Sequence, residues 1–170
     1  SLSANTTGNH NTAYGSRSLN ANTTASFNTA IGKSSMQANT TGTNNTALGY
    51  AALYTNTTGD NNTAVGNSAL ESATTAGFNV AVGTSAASST TTGAENTAVG
   101  HNALAANTQG GNNVAIGTNA LDANLQSDHN TAVGHQALTN STTGDQNVAI
   151  GSQAGLAITT GDINTIVGYD

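Results

Sequence analysis

The chain has 170 residues, a formal net charge of −6, 6 % charged residues, no proline and no cysteine. With Arg17 and Lys33 as its only fixed cations, it is not expected to bind nucleic acid or an anionic membrane surface. The lack of cysteine excludes a disulfide-stapled fold. There is no apolar run long enough to cross a bilayer and no basic-then-apolar export signal, so direct membrane insertion is not expected.

A chain rich in Gly, Asn, Thr and Ala with so few charges has a disordered composition, but its internal period argues for a fold. The phrase NTAVG occurs at 62–66, 96–100 and 130–134, and variants run from NTAYG at 11–15 to NTIVG at 164–168. Their glycines, Gly15 through Gly168, recur every 17 residues in ten unbroken copies. Such self-similarity is the signature of a solenoid or array.

Numbered from its asparagine, the repeat reads N-T-A-V-G-x-x-A-L-x-x-N-T-T-G-x-x, and its elements follow in chain order. Columns two to four form a short strand in each copy. Column two is Thr or Val, column three is Ala except at Ile166, and column four is large and apolar, from Tyr14 to Val167. Alternation puts columns two and four on one face and column three on the other. The bulky face is expected inside and the alanine outside, where a neighbouring chain approaches closely.

Columns eight and nine follow: Ala or Ser, then an apolar anchor, usually Leu, which lapses at Ala87 and Gly155. The stretch before column twelve reads as a second short strand or as one helical turn. Columns twelve to fifteen, typically NTTG, are turn chemistry, since Asn and Gly tolerate left-handed backbone and Asn and Thr cap local groups.

Recurrent Gly and Asn-Thr-Thr clusters exclude a continuous helix. The expected fold is all-β, a parallel β-solenoid or β-roll of ten 17-residue coils. Stacked about 4.8 Å apart, they make a rod about 48 Å long. Stacking sets column-one Asn on Asn, and such ladders hydrogen-bond along the axis. Each coil buries little apolar area against an ordering cost of roughly 1–2 kcal/mol per residue, so several chains are expected to pack along the rod. Residues 1–170 read as a single repeat domain cut at an arbitrary phase, with Ser1 in column eight and Asp170 in column seven. It is expected to be a segment of a longer fibre, or a subunit whose ends stack in register on its neighbours.

NVAIG at 113–117 and 147–151 resembles the N-S-V-A-I-G phrase of trimeric autotransporter adhesin heads. The whole NTAVGxxALxxNTTG phrase is similar to repeats of phage tail-fibre-like proteins. The resemblance implies a trimeric, parallel β-roll whose alanine faces the neighbouring chains. It also implies a role in attachment to host or matrix surfaces, outside the cell, on a cell or virion surface. The adhesin-head period is usually shorter than the one here, so coil shape and handedness do not carry over.

Candidate chemistry is sparse. Among the histidines, His101 and His135 share column six two coils apart, roughly 9–10 Å by stacking, too far for one zinc. Hydroxyls and acids never break the repeat to mark a pocket, so no enzyme is expected. Asp128, Asp145 and Asp162 occupy column sixteen in consecutive coils, with Asp60 earlier. They read either as solvated turn aspartates or as oxygen ligands for a hard cation such as Ca2+. Threonine pairs in columns thirteen and fourteen, such as Thr40-Thr41 and Thr57-Thr58, form rows that would suit ice binding. The sequons at Asn5, Asn22, Asn39, Asn44, Asn56, Asn61 and Asn140 read as by-products of the repeat. Tyr50, Tyr54, Tyr169, Phe27 and Phe78 are scattered rather than clustered. The expected function is that of a non-catalytic fibre or adhesin-head segment that self-associates as a homotrimer or an end-to-end filament.

Overall fold

A computed structural model describes residues 1–169. Asp170, one side of the end-to-end joint expected above, lies outside them. Among the described residues the fold is all-β and contains no helix: ten three-residue strands, one per coil, stack as a parallel β-solenoid. They are β1 Thr12–Tyr14, β2 Thr29–Ile31, β3 Thr46–Leu48, β4 Thr63–Val65, β5 Val80–Val82, β6 Thr97–Val99, β7 Val114–Ile116, β8 Thr131–Val133, β9 Val148–Ile150 and β10 Thr165–Val167. Each pairs in register with the next, Thr46 on Thr63, Ala47 on Ala64, Leu48 on Val65, so every repeat column becomes a row along the rod.

The face assignment is the reverse of the sequence expectation. Column-three alanines such as Ala30, Ala47, Ala64 and Ala81 are fully buried, whereas columns two and four lie half-buried or exposed. The alanine therefore faces the interior of its own coil, not a neighbouring chain. The reason is width. Inside each coil the strand faces the column-nine anchor, and the fully buried Leu53, Leu70, Leu104, Leu121 and Leu138 fill most of the slot. Only a methyl group fits opposite them. The core is one Leu and two Ala per coil, columns three, eight and nine, repeated along the rod.

No second strand and no helical turn forms over columns six to eleven. That segment is a turn in which columns seven and nine take left-handed backbone, as at Ala51 (φ 53°) and Leu53 (φ 55°). Left-handed residues cost roughly 1–2 kcal/mol each, and the ladder offsets it: Ala51 N–H donates to Lys33 O of the preceding coil at 3.1 Å, and Leu53 N–H to Ala69 O of the next at 2.9 Å. Alternate residues thus bond up and down the rod while the chain reverses. Columns seven and nine contain no Val, Ile or Thr, the residues least able to hold positive φ.

The column-one asparagines form the expected ladder. Asn45 N–H donates to Asn28 Oδ1 at 2.9 Å, and Asn62 N–H to Asn45 Oδ1 at 2.9 Å. Those from Asn11 to Asn147 also donate Nδ2 across the interior to the column-fifteen carbonyl of their own coil, as Asn45 does to Gly59 O at 2.8 Å. A second ladder runs up column twelve, where Asn56 Nδ2 donates to Asn39 Oδ1 at 2.8 Å. It lapses where Ala73, Thr90, Ser141 and Ile158 replace Asn. In the last coil the anchor is Gly155, and Ile158 and Ile166 supply the apolar filling. A Cβ at Gly155 would stand 3.6 Å from the Cδ1 of each and 2.9 Å from Leu138 Cδ2.

Candidate interaction face

Turning the alanines inward turns columns two and four outward. The outer face of the ten-stranded sheet is a row of Thr or Val beside a row of Val, Ile, Leu or Tyr, without a single charge. Leu48 is 46 % exposed, Ile116 39 % and Ile150 43 %. The reach from column one to column five is roughly 17 Å and the rod is about 48 Å long. The strip therefore covers on the order of 800 Å², which is one partner's share of a standard protein interface. Column four supplies its apolar row, and threonine fills seven of the ten places in column two.

Two rims of unlike charge border the strip. Columns sixteen and seventeen, just before each strand, hold five acids, Asp60, Glu95, Asp128, Asp145 and Asp162, together with His10 and His129, and no Lys or Arg. Columns six and seven, just after each strand, hold both fixed cations, Arg17 and Lys33, together with His101 and His135, and by sequence one acid, Asp170. Side chains along a rim interact with their own row: His10 stacks on Phe27 with centroids 5.0 Å apart, and Lys33 Nζ lies 5.9 Å from the centre of the Tyr50 ring.

The column-sixteen aspartates have backbone partners. Asp128 Oδ1 accepts from Gly111 N–H, Asp145 Oδ1 from Asp128 N–H and Asp162 Oδ1 from Asp145 N–H, at 2.6, 2.8 and 2.9 Å. Each carboxylate caps the coil before it, as the asparagines do in column one, and this offsets the repulsion along the row. Among the described residues no group of three or more His, Cys, Asp or Glu is arranged around a common point for a metal ion. His101 and His135 stand exposed on one rim. The Asp122 carboxyl is pushed up from its ordinary range by burial and only partly pulled back by the nearby His101.

The threonine rows divide. Column-thirteen hydroxyls are committed to the next coil's backbone, Thr40 Oγ1 to Thr57 O at 2.9 Å and Thr57 Oγ1 to Thr74 O at 3.0 Å. Column fourteen is exposed at Thr24, Thr41, Thr58, Thr75 and Thr92. The sequons divide too: Asn22, Asn39 and Asn56 are buried in the ladder, while Asn44, Asn61 and Asn140 are exposed.

Sequence reasoning missed the strip because it assigned the large residues of column four to the core. The clue was parity. Column one must point inward for its asparagines to form a ladder, and column three lies on the same side of the strand. Compared with known proteins, the chain matches no family model, no curated protein and no solved structure.

Proposed function

We propose that the chain is a non-catalytic structural rod that associates side by side with copies of itself, as a segment of a surface fibre that extends or presents an attachment function. The observation that carries this reading is the uncharged outer strip of columns two and four, about 800 Å² of regular Thr, Val and Ile. Three such strips can close around a common axis. Facing sheets pack about 10 Å apart, so each sheet stands about 5 Å from the axis, and a triangle of that inner radius has sides of about 17 Å, the width of the strip. A trimer is thus the assembly the strip fits, in keeping with the adhesin-head and tail-fibre resemblance. A fibre of this kind belongs outside the cell, on a cell or virion surface, and a host or matrix surface is its natural target. Light scattering after size exclusion tests the reading: a mass near three times 16.6 kDa supports it, and a monomer at high concentration sinks it.

The exposed column-fourteen threonines favour a second reading, a rigid array that orders water as an ice-binding surface. Its test is separate. Thermal hysteresis at high protein concentration would support it, and the absence of hysteresis removes it.

A further inference from the structure

The second asparagine ladder is continuous only in the first part of the rod. Asn22 Nδ2 donates to Asn5 Oδ1, Asn39 to Asn22 and Asn56 to Asn39, at 2.8, 3.1 and 2.8 Å. The row then passes Ala73 and Thr90. Asn107 Nδ2 reaches Thr90 Oγ1 only at 3.5 Å, and Asn107 Oδ1 is buried without a partner. The cross-coil bonds follow the same course. Gly42 O, Gly59 O and Gly110 O each accept two asparagine amides. In coils 62–78 and 79–95 the corresponding carbonyls, Ala76 O and Gly93 O, accept one.

Coil 79–95 adds a second lapse to this one. Its buried apolar side chains are Ala81, Ala86 and Ala87, and Ala87 stands where the coils on either side have Leu70 and Leu104. Ser85 (φ 56°) and Ala87 (φ 50°) keep the left-handed backbone of their columns, yet no large apolar side chain is buried to offset it. Coil 147–163 also loses both features, at Gly155 and Ile158, but there Ile158 and Ile166 pack into the interior.

We infer that coil 79–95 is a joint built into the rod, which opens locally while the coils on either side stay folded. In a solenoid each repeat contacts only its neighbours, so stability is a sum of repeat and interface terms, and one weak interior repeat opens ahead of the others. The released coil spans up to about 55 Å fully extended, against about 4.8 Å when stacked. Opening it therefore roughly doubles the reach of a rod about 48 Å long and lets the two parts turn against each other. Interior coils loaded in series carry the same force, so a rod under tension yields here first. The joint needs no second copy and is independent of the self-association reading above.

Native-state hydrogen exchange read by mass spectrometry tests this on the whole chain. Peptides from 79–95 should exchange faster than those from 45–61 and 96–112 by about tenfold or more, since they lack one buried hydrogen bond and one anchor. Equal or slower exchange in 79–95 overturns the inference. Two variants separate the missing side chains from mere position along the rod. Ala87→Leu with Thr90→Asn should slow 79–95 to the rate of its neighbours. Leu53→Ala with Asn56→Thr should speed 45–61 by a similar factor. A repaired coil that stays fast, or a weakened one that stays slow in a folded rod, would also overturn it.

Discussion

Asn28 and Asn39 meet at a single acceptor: both donate Nδ2 to the carbonyl oxygen of Gly42, at 2.8 and 3.0 Å. The same clamp closes on Gly59 through Asn45 and Asn56. It ties the start of the strand to the turn that ends the coil, across an interior too thin to hold the two together by apolar packing. Asn28 and Asn39 also bond along the axis, since each accepts from the equivalent asparagine of the next coil.

Removing one clamp at mid-rod should therefore cost more than a lost surface hydrogen bond. Asn79 donates to Gly93 O at 3.0 Å and accepts from Asn96 N–H at 2.9 Å. Asn79→Ala leaves both groups buried and unpaired, at roughly 1–3 kcal/mol each. Denaturant titration of wild type and variant measures the loss; a change under about 0.5 kcal/mol would mean the ladder is not a principal support.

The converse gain is expected at a lapse in the second ladder. Ala73 stands where Asn would donate to Ala76 O, an acceptor now served by Asn62 alone at 2.8 Å. Ala73→Asn should stabilise by about 1 kcal/mol, raising the melting midpoint by about 2–4 °C. Calorimetry showing a lower midpoint would contradict the clamp geometry.

Column five should tolerate nothing but glycine. Gly83 has φ 138°, and an added Cβ would stand 2.4 Å from Gly100 O of the next coil. Gly83→Ala is expected to cost on the order of 3 kcal/mol or more. The control is Gly93→Ala in column fifteen, whose added Cβ would come as close to Gly110 O but whose backbone is not left-handed; Ala25 and Ala76 already stand in that column, so the loss should be smaller. Equal losses in thermal melts would refute the distinction.

Inward and outward positions should separate sharply. Leu104→Ala empties a fully buried anchor and should cost about 2–5 kcal/mol. Val82→Ser, on the outer strip, should leave the stability of a single rod within about 0.5 kcal/mol while weakening association of copies. Stability and oligomer mass, measured on the same samples, decide whether the sheet faces the way described.

Two electrostatic outcomes follow. Burial raises the Asp122 carboxyl in the folded chain, so the folded state holds that proton more tightly than the unfolded one. Its contribution to stability is complete below the ordinary aspartate range and is lost as pH rises through the raised value. Asp122→Asn should be the more stable protein at neutral pH, with the difference vanishing in acid; melting midpoints against pH test the sign. Because the Oδ1 atoms of Asp128, Asp145 and Asp162 already accept backbone N–H groups, chelator or added Ca2+ should leave the midpoint unmoved. A rise with calcium would establish a cation site in that column.

The sequence alone determined the period, the ten strands at columns two to four, the in-register stacking and the column-one ladder. Each of these follows from local chemistry repeated without a slip: alternation sets a strand, glycine ends it, and identical neighbours stack on identical neighbours. It held two further signals that local reasoning did not use. The absence of Val, Ile and Thr from columns seven and nine marks left-handed backbone rather than a second strand. The invariant Asn11-to-Asn164 column, two positions before the alanines, marks which side of the strand is inside. Only the tertiary structure decided between Ala and Val for the interior, because that choice depends on the distance to the opposite wall. Leu104 and its equivalents occupy the slot from the far side, so Ala98 fits beneath them and Val99 does not. That one packing constraint turned the apolar row outward, and with it created the strip on which assembly is proposed to depend.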